Sequence, residues 1–548
     1  MIAFIMLAGC DSAPRSHPID VQQFNLELER YYDFLQIPGL AVGVAHGDSL
    51  VFFKGYGYAN AQEETQITEN HIFWIASLTK TFSAVSLKQW EEQGKISLND
   101  SIRAYPNNYF NDQRLSAGMT IEHLISHTSE SDPMGTSFIY NGGRYNVIFN
   151  VFDEISTVED TTDLIRPFTH TIDEQILKPL NLNNTLTRLS DERAETLNPY
   201  LVTTYSFQSD SGAYVENREG LNFNTSFPST GMLSSVFDLT RYSNALDEGR
   251  LISKQSYRNL TSPYYEGSNS RSPYGLGWFT THFEGIDMHW GYGYGAADAA
   301  LILKVPAKKL TLVALSNAAM PSGSVRLGNG NPLNAIPAVS FLKHFVFTER
   351  RPVPGYDFLG DLDRVKQSLH EATDQSESTL HLEEAYSYAM MMQYVPDAIF
   401  DDSDRAAELL MHIHQIAPDF INPDRTDAFE LLASFDHPEI LSIGSELAEQ
   451  YEKTGSYHPL KSFYSGSIAE KLGNLDRALR FYKQVAMSDA FAEQPVKYDA
   501  CMWLGKYYRD KDTSKATQYL EKLLKYKDLV GGNDALYEEA QAILNEIS

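Results

Sequence analysis

Two side chains open the chemical reading of this chain. In Phe73-Trp74-Ile75-Ala76-Ser77-Leu78-Thr79-Lys80, a serine and a lysine stand three apart. On a helix that spacing places both on one face, a turn from each other. A serine hydroxyl is a weak nucleophile until a neighbouring base takes its proton. A helix N-terminus lowers the cost of an alkoxide, and burial depresses a lysine pKa until the neutral amine can accept that proton. Spacing alone does not decide the matter. Ser340 and Lys343 repeat it with no partner motif in view, and a capping serine beside an exposed lysine is the ordinary alternative. His123 and His127, four apart, read as one structural and one surface histidine rather than a metal pair.

Other segments fall in an informative order: Ile37-Pro38-Gly39-Leu40-Ala41-Val42, then 122–129, then Phe138-Ile139-Tyr140-Asn141-Gly142-Gly143-Arg144-Tyr145-Asn146. Pro179-Leu180-Asn181-Leu182-Asn183, Tyr274-Gly275-Leu276-Gly277-Trp278 and Asp287-Met288-His289-Trp290-Gly291-Tyr292-Gly293 follow. Together they resemble the serine beta-lactamase and penicillin-binding protein superfamily, most closely its class C branch, over about residues 20–348. That branch also holds D-alanyl-D-alanine carboxypeptidases, D-aminopeptidases and esterases. The resemblance implies that Ser77 is the acyl-accepting nucleophile, Lys80 the group that takes its proton, and Tyr140 a proton relay to the leaving group. His289, Gly291 and Tyr292 are implied as substrate-binding and oxyanion positions. His289-Trp290-Gly291 stands where the family has Lys-Thr-Gly, and the backbone N–H groups of Ser77 and Tyr292 would form the oxyanion hole.

This sequence departs from the pattern in several places. Gly142 occupies the place of the family's asparagine, so a substrate-orienting amide is missing unless Asn141 or Asn146 supplies it. His289 replaces a lysine, and a neutral imidazole attracts a carboxylate less than an ammonium does. Only 12 residues separate His127 from Tyr140, which implies a trimmed loop and an open pocket. No class A type Glu loop for a deacylating water is evident. These features favour an ester- or amide-cleaving hydrolase of the esterase and peptidase kind. The alternatives are a D-alanyl-D-alanine carboxypeptidase, a penicillin-binding protein or a beta-lactamase, and, from another class, a catalytically silent scaffold. No Gly-x-Ser-x-Gly elbow, P-loop or Gly-x-Gly-x-x-Gly after a strand is present, so no cofactor or metal is expected.

The elements that must position these residues are legible in outline. Apolar residues at helical spacing over 21–35 stop at Pro38-Gly39, and strands over 40–45 and 49–53 flank a turn at His46-Gly47-Asp48. A helix is expected over 77–93, strands over 288–292, 299–303 and 310–315, and a closing helix over 338–347. Strands at both ends with helices between predict an α+β domain over 19–350 whose antiparallel sheet joins its two termini. After Arg351-Pro352-Val353-Pro354-Gly355, residues 356–548 read as all-α. Small residues at Gly466, Ala469, Ala478, Gly505 and Ala516 resemble degenerate tetratricopeptide repeats of about 34 residues, with 404–418 as a helix of an earlier unit. Such a tail implies a protein partner.

Composition bounds the rest. The chain has 548 residues, 43% hydrophobic and 21% charged, which exceeds one ordinary core. A net charge of −28 argues against nucleic acid, leaving a small molecule or peptide as substrate. Of two cysteines, Cys10 follows an apolar start as Leu7-Ala8-Gly9-Cys10, which resembles a bacterial lipoprotein signal. Residues 1–18 are thus expected to be signal and tether, with Cys10 lipidated and the protein anchored at the periplasmic side of the cell envelope.

Overall fold

The computed structural model describes residues 19–106, 115–116, 118–131, 133–158, 162–189, 193–217, 226–264, 272–348, 355–375, 378–487, 495–525 and 534–547. Cys10 with its signal and tether, and most of the 351–355 boundary, lie outside the described residues. Helix α1 (Val21–Leu35) starts where Asp20 accepts from the Gln23 N–H at 3.0 Å, and ends at Gln36 in the left-handed region. Its Phe24, Leu28, Tyr31 and Leu35 share one buried face. Strands β1 (Gly39–His46), β2 (Ser49–Asn60) and β3 (Thr65–Gln66) follow. Three helices come next that matter for the site: α2 (Thr79–Glu92), α3 (Val236–Glu248) and α4 (Lys254–Thr261). The sheet is completed by β4 (Phe279–Phe283), β5 (Ile286–Tyr294), β6 (Ala299–Val305) and β7 (Leu310–Ser316).

The seven strands lie in the order β3-β2-β1-β7-β6-β5-β4, every pairing antiparallel. The last strand returns beside the first, Val42 opposite Ala314, so the sheet does join the two ends of the α+β domain. Strand periodicity splits the side chains between two cores. Leu301, Leu303 and Leu312 face the side covered by α1, whereas Ala300, Ile302 and Val313 face α2 and α3. The first strand pair is longer than its apolar runs suggested, because β2 continues through Gly55 and Gly57 to Asn60.

Beyond α5 (Ile336–Phe341) the chain is helical in every described element, including α6 (Leu380–Tyr394), α7 (Thr426–Ser434), α8 (Pro459–Lys471), α9 (Leu475–Met487), α10 (Pro495–Tyr508) and α11 (Thr513–Lys525). The helix expected at 404–418 spans Ser403–Ile416. Helices α8 and α9 pack as a hairpin in which a Cβ at Gly466 would sit 3.0 Å from the Tyr482 ring; Gly505 stands likewise 2.5 Å from Leu520 between α10 and α11. The small residues therefore permit close helix approach in both hairpins. The tail is not a separate body in its packing. One apolar cluster runs from α1 across the sheet into α6 and on to Phe481. Within it, Lys343 binds Glu27 of α1 at 2.7 Å and Glu384 of α6 at 2.9 Å, and Ser340 donates to Glu27 at 2.5 Å. The second Ser-x-x-Lys is thus a buried structural clasp.

Candidate active site

The turn that carries Ser77 is held from both sides. Phe73–Trp74 pair with Leu233–Ser234, and the Ile75 N–H donates to the Met232 carbonyl at 3.0 Å. Ala76 then adopts φ 40°, a left-handed conformation that costs a residue with a Cβ. The chain enters a 3₁₀ turn, Ala76–Leu78, and only then α2, so Ser77 sits on a tight elbow and the α-helix starts two residues later than the expected 77. Strand β5 presses against this elbow. A Cβ on Gly293 would lie 2.1 Å from the Ile75 carbonyl oxygen, and one on Gly291 would lie 2.8 Å from Leu78 Cδ1.

Ser77 is half-buried, while Lys80 is 1% exposed. The Lys80 amine donates to Ser77 Oγ at 2.9 Å and to the Ser229 carbonyl at 3.1 Å. With the amine neutral, the first contact runs in reverse and the serine O–H donates to the nitrogen lone pair. Burial pushes the Lys80 pKa down, and Tyr140 opposes the shift by charge and hydrogen bonding. Ser229 is itself fixed, since its N–H donates to Asn146 Oδ1 at 2.9 Å.

Tyr140 reaches the same amine from the opposite wall, with Lys80 Nζ 4.9 Å from its ring centre. His127 organises that wall. Its carbonyl accepts the Ile139 N–H at 2.8 Å, its Nδ1 accepts the Asn141 N–H at 3.1 Å, and its ring lies 4.4 Å from that of Tyr140. Burial, reinforced by the charge of Lys80, holds the His127 pKa well below the usual imidazole range. Neither histidine of the pair is therefore the surface one expected; His123 is also buried and closes a capping box with Thr120. Sequence reasoning missed the role of His127, for which its place two residues after the Leu124-Ile125 apolar pair was the one signal.

The remaining positions divide. Asn141 caps a helical turn, accepting from the Arg144 N–H at 2.9 Å and donating to Glu130 at 3.1 Å, while Asn146 holds Ser229. Asn141 thus has both ends of its amide engaged and Asn146 its oxygen. A Cβ at Gly142 would lie 3.6 Å from Lys80 Nζ, so that position does face the amine. Tyr292 lies beside Tyr140, ring centres 5.7 Å apart. Strand β4 begins at Phe279 opposite Trp290, which leaves Gly291 to Tyr294 extending past it. His289 is drawn elsewhere. Its Nδ1 is 3.2 Å from the Tyr257 hydroxyl of α4, and it pairs in register with Lys304. Burial and then the Lys304 charge bring its pKa down to about 4, so it offers no cation at neutral pH. Lys304 is committed to Asp247 at 2.9 Å.

The beta-lactamase family model matches residues 28–334. Protein flp of Staphylococcus aureus (strain MW2) is 25% identical over 325 residues, covering 54% of this chain and 63% of that protein. The putative penicillin-binding protein PbpX of Bacillus subtilis (strain 168) is 23% identical over 281 residues, covering 46% of this chain and 65% of its own length. The chain thus spans a little under two thirds of the relatives it matches. In fold, it resembles the octameric penicillin-binding protein homologue from Pyrococcus abyssi, with a TM-score of 0.50 at 18% identity over 64% of this chain and 81% of that one.

Proposed function

Because the chain belongs to the beta-lactamase family, we propose that it is a serine hydrolase working through an acyl-enzyme on Ser77. The observation that carries this reading is the buried Lys80 amine 2.9 Å from Ser77 Oγ, with its pKa held down by burial. Ser77 Oγ attacks the carbonyl carbon of an ester or amide as its proton passes to Lys80. The carbonyl oxygen, now negative, is received by the backbone N–H groups of Ser77 and Tyr292. Collapse expels the alcohol or amine, which takes the proton from Lys80 through Tyr140. Water then attacks the acyl carbon, and Ser77 recovers its proton as the acid leaves.

The substrate class follows from what surrounds the amine. Gly142 offers no amide, His289 is neutral and turned to Tyr257, and Lys304 is neutralised by Asp247. These positions supply no cation for a substrate carboxylate, whereas the half-buried ring of Tyr140, backed by Tyr292 and Phe279, offers aromatic surface. Both features support an uncharged ester or amide over a D-alanyl terminus.

Intact-mass measurement after exposure to a fluorophosphonate, short p-nitrophenyl esters, D-amino-acid peptides and penicillin tests the reading. The wild type should gain the phosphonate and turn over the esters, while Ser77→Ala does neither. Equal labelling of the two proteins would place the nucleophile elsewhere. Labelling of neither would favour the silent scaffold, and a lasting penicilloyl adduct would favour the carboxypeptidase or penicillin-binding alternative.

A further inference from the structure

The loop between β7 and α5 touches the site on one side and the helical tail on the other. On the site side, a Cβ at Gly328 would lie 2.8 Å from the Tyr292 hydroxyl, and one at Gly323 would lie 3.1 Å from the Tyr294 ring. Gly330, at φ 97°, stands against Pro273, next to the Tyr274 ring that packs on His127. On the tail side, Arg326 of the same loop donates from Nε to Glu430 of α7 at 2.8 Å, and its guanidinium lies 4.0 Å from the centre of the Tyr394 ring of α6. The guanidinium also donates to the Gly323 carbonyl at 2.6 Å, which folds the loop onto itself. Arg326 holds φ 48°, a conformation that a residue with a Cβ keeps only where its surroundings enforce it.

From these contacts we propose that Arg326 is a positioning residue through which the helical tail fixes Tyr292, and with it Tyr140, against the Ser77–Lys80 pair. The proposal rests on the hydrolase reading of that site. Tyr292 fills the space between the loop and Tyr140, so a loop released from Glu430 and Tyr394 leaves Tyr292 unsupported on its outer side. Tyr140 then loses one of the aromatic walls that hold it, keeping His127 at 4.4 Å and Phe279 at 6.0 Å. A second contact acts in the same sense: the tail's half-buried His458 meets the backbone of Phe138, two residues before Tyr140. The appended domain would thereby belong to the catalytic unit as a template for one wall of the cleft.

The test compares Arg326→Ala, Glu430→Ala and the reversal R326E/E430R with Arg477→Ala in the full chain. Arg477 binds Glu452 wholly within the tail, so its variant controls for loss of tail stability alone. Displacing a reacting group by about 1 Å costs on the order of 100-fold in rate. Arg326→Ala and Glu430→Ala should therefore lower the fluorophosphonate acylation rate and kcat by about 10- to 100-fold with little change in KM. The reversal should recover only the part of that loss due to the ion pair, since a glutamate at 326 replaces neither the Tyr394 nor the Gly323 contact, and Arg477→Ala should stay within threefold of the wild type. Hydrogen exchange over 138–142 and 290–294 should speed up in Arg326→Ala but not in Arg477→Ala. That readout stands even if Ser77 proves unreactive, a result that would sink the hydrolase reading alone. Unchanged exchange at both segments in Arg326→Ala, or equal losses in Arg326→Ala and Arg477→Ala, would overturn the proposal.

Discussion

Gly293→Ala probes the contact on which the geometry of the nucleophile turn depends. The added Cβ would stand 2.1 Å from the Ile75 carbonyl oxygen, an atom of backbone that cannot swing aside like the end of a side chain. Restoring an ordinary separation near 3.4 Å requires β5 and the Ile75–Ser77 elbow to part by roughly 1 Å. That displacement separates the two N–H groups proposed to receive the oxyanion. A misplacement of this size costs on the order of 100-fold in rate, about 2.7 kcal/mol of barrier. The overpacking should also cost about 1–3 kcal/mol of stability. Gly94→Ala supplies the control. Gly94 follows the end of α2 at φ 69° with open space around its Cβ direction, so its variant carries about 1–2 kcal/mol of strain without touching the site. Second-order fluorophosphonate labelling, read beside urea unfolding, separates the two effects. Labelling of Gly293→Ala within threefold of the wild type would refute the claim that β5 and the Ser77 elbow form one oxyanion site.

Lys80→Ala should lower acylation by about 10²–10⁴-fold. In the wild type, the rate should fall as pH drops through the depressed pKa of Lys80, because protonation removes the base. The same burial makes Lys80→Met stabilising at neutral pH. The unfolded chain binds a proton there that the folded chain resists, so the advantage should shrink as pH rises toward the ordinary lysine value, which urea titrations at several pH values would read. In the structural clasp, burial raises and the charges of Lys343 and His344 lower the pKa of Glu27, the net result being about 2 against an ordinary 4.5. Its contribution is intact above pH 4.5 and should be lost as pH falls toward 2, seen as acid unfolding. Lys343→Met, which strands buried carboxylates, should cost about 3–5 kcal/mol by chemical denaturation.

What could be read from sequence was what the chain settles locally. Ser77 and Lys80 lie within one helical turn, so their spacing alone brings them together. The return of β7 to β1 was legible because each strand is short, apolar and bounded by turns such as Pro306-Ala307-Lys308. The clasp around the amine was not. Ser229 comes from 149 residues beyond Lys80 and owes its position to Asn146, and a carbonyl acceptor carries no residue signature at all. His289 was placed correctly along β5, yet Tyr257 of a distant helix claims its imidazole. Packing of the tail against the beta-lactamase domain had a signal that periodicity obscures. In α6 almost every side chain from Leu380 to Met392 is buried, charged ones included, and a helix buried all round needs partners on every side.

The two Ser-x-x-Lys segments show how two buried lysines come to differ in pKa. Both lysines are buried, but their partners differ. Lys343 meets Glu27 and Glu384, and although burial opposes it, their charges raise its pKa above the ordinary lysine value, keeping it an ammonium. Lys80 meets a hydroxyl, a carbonyl and a phenol, none of which offsets desolvation as a carboxylate would, and its pKa falls. The nature of the nearest acceptor, rather than spacing or depth, then decides the chemistry. Gly142 allows that idea to be tested at one atom, because a Cβ there lies 3.6 Å from Lys80 Nζ, at ordinary contact distance. Gly142→Asn and Gly142→Asp add side chains of nearly equal shape beside the amine. The asparagine should keep acylation within about tenfold, since it brings no charge. The aspartate should convert Lys80 into an ammonium ion pair and cut acylation at pH 7 by about 10²-fold or more, with the acid limb of the pH profile moved upward. If both variants acylate alike across that profile, the neutral amine at Lys80 is not the base.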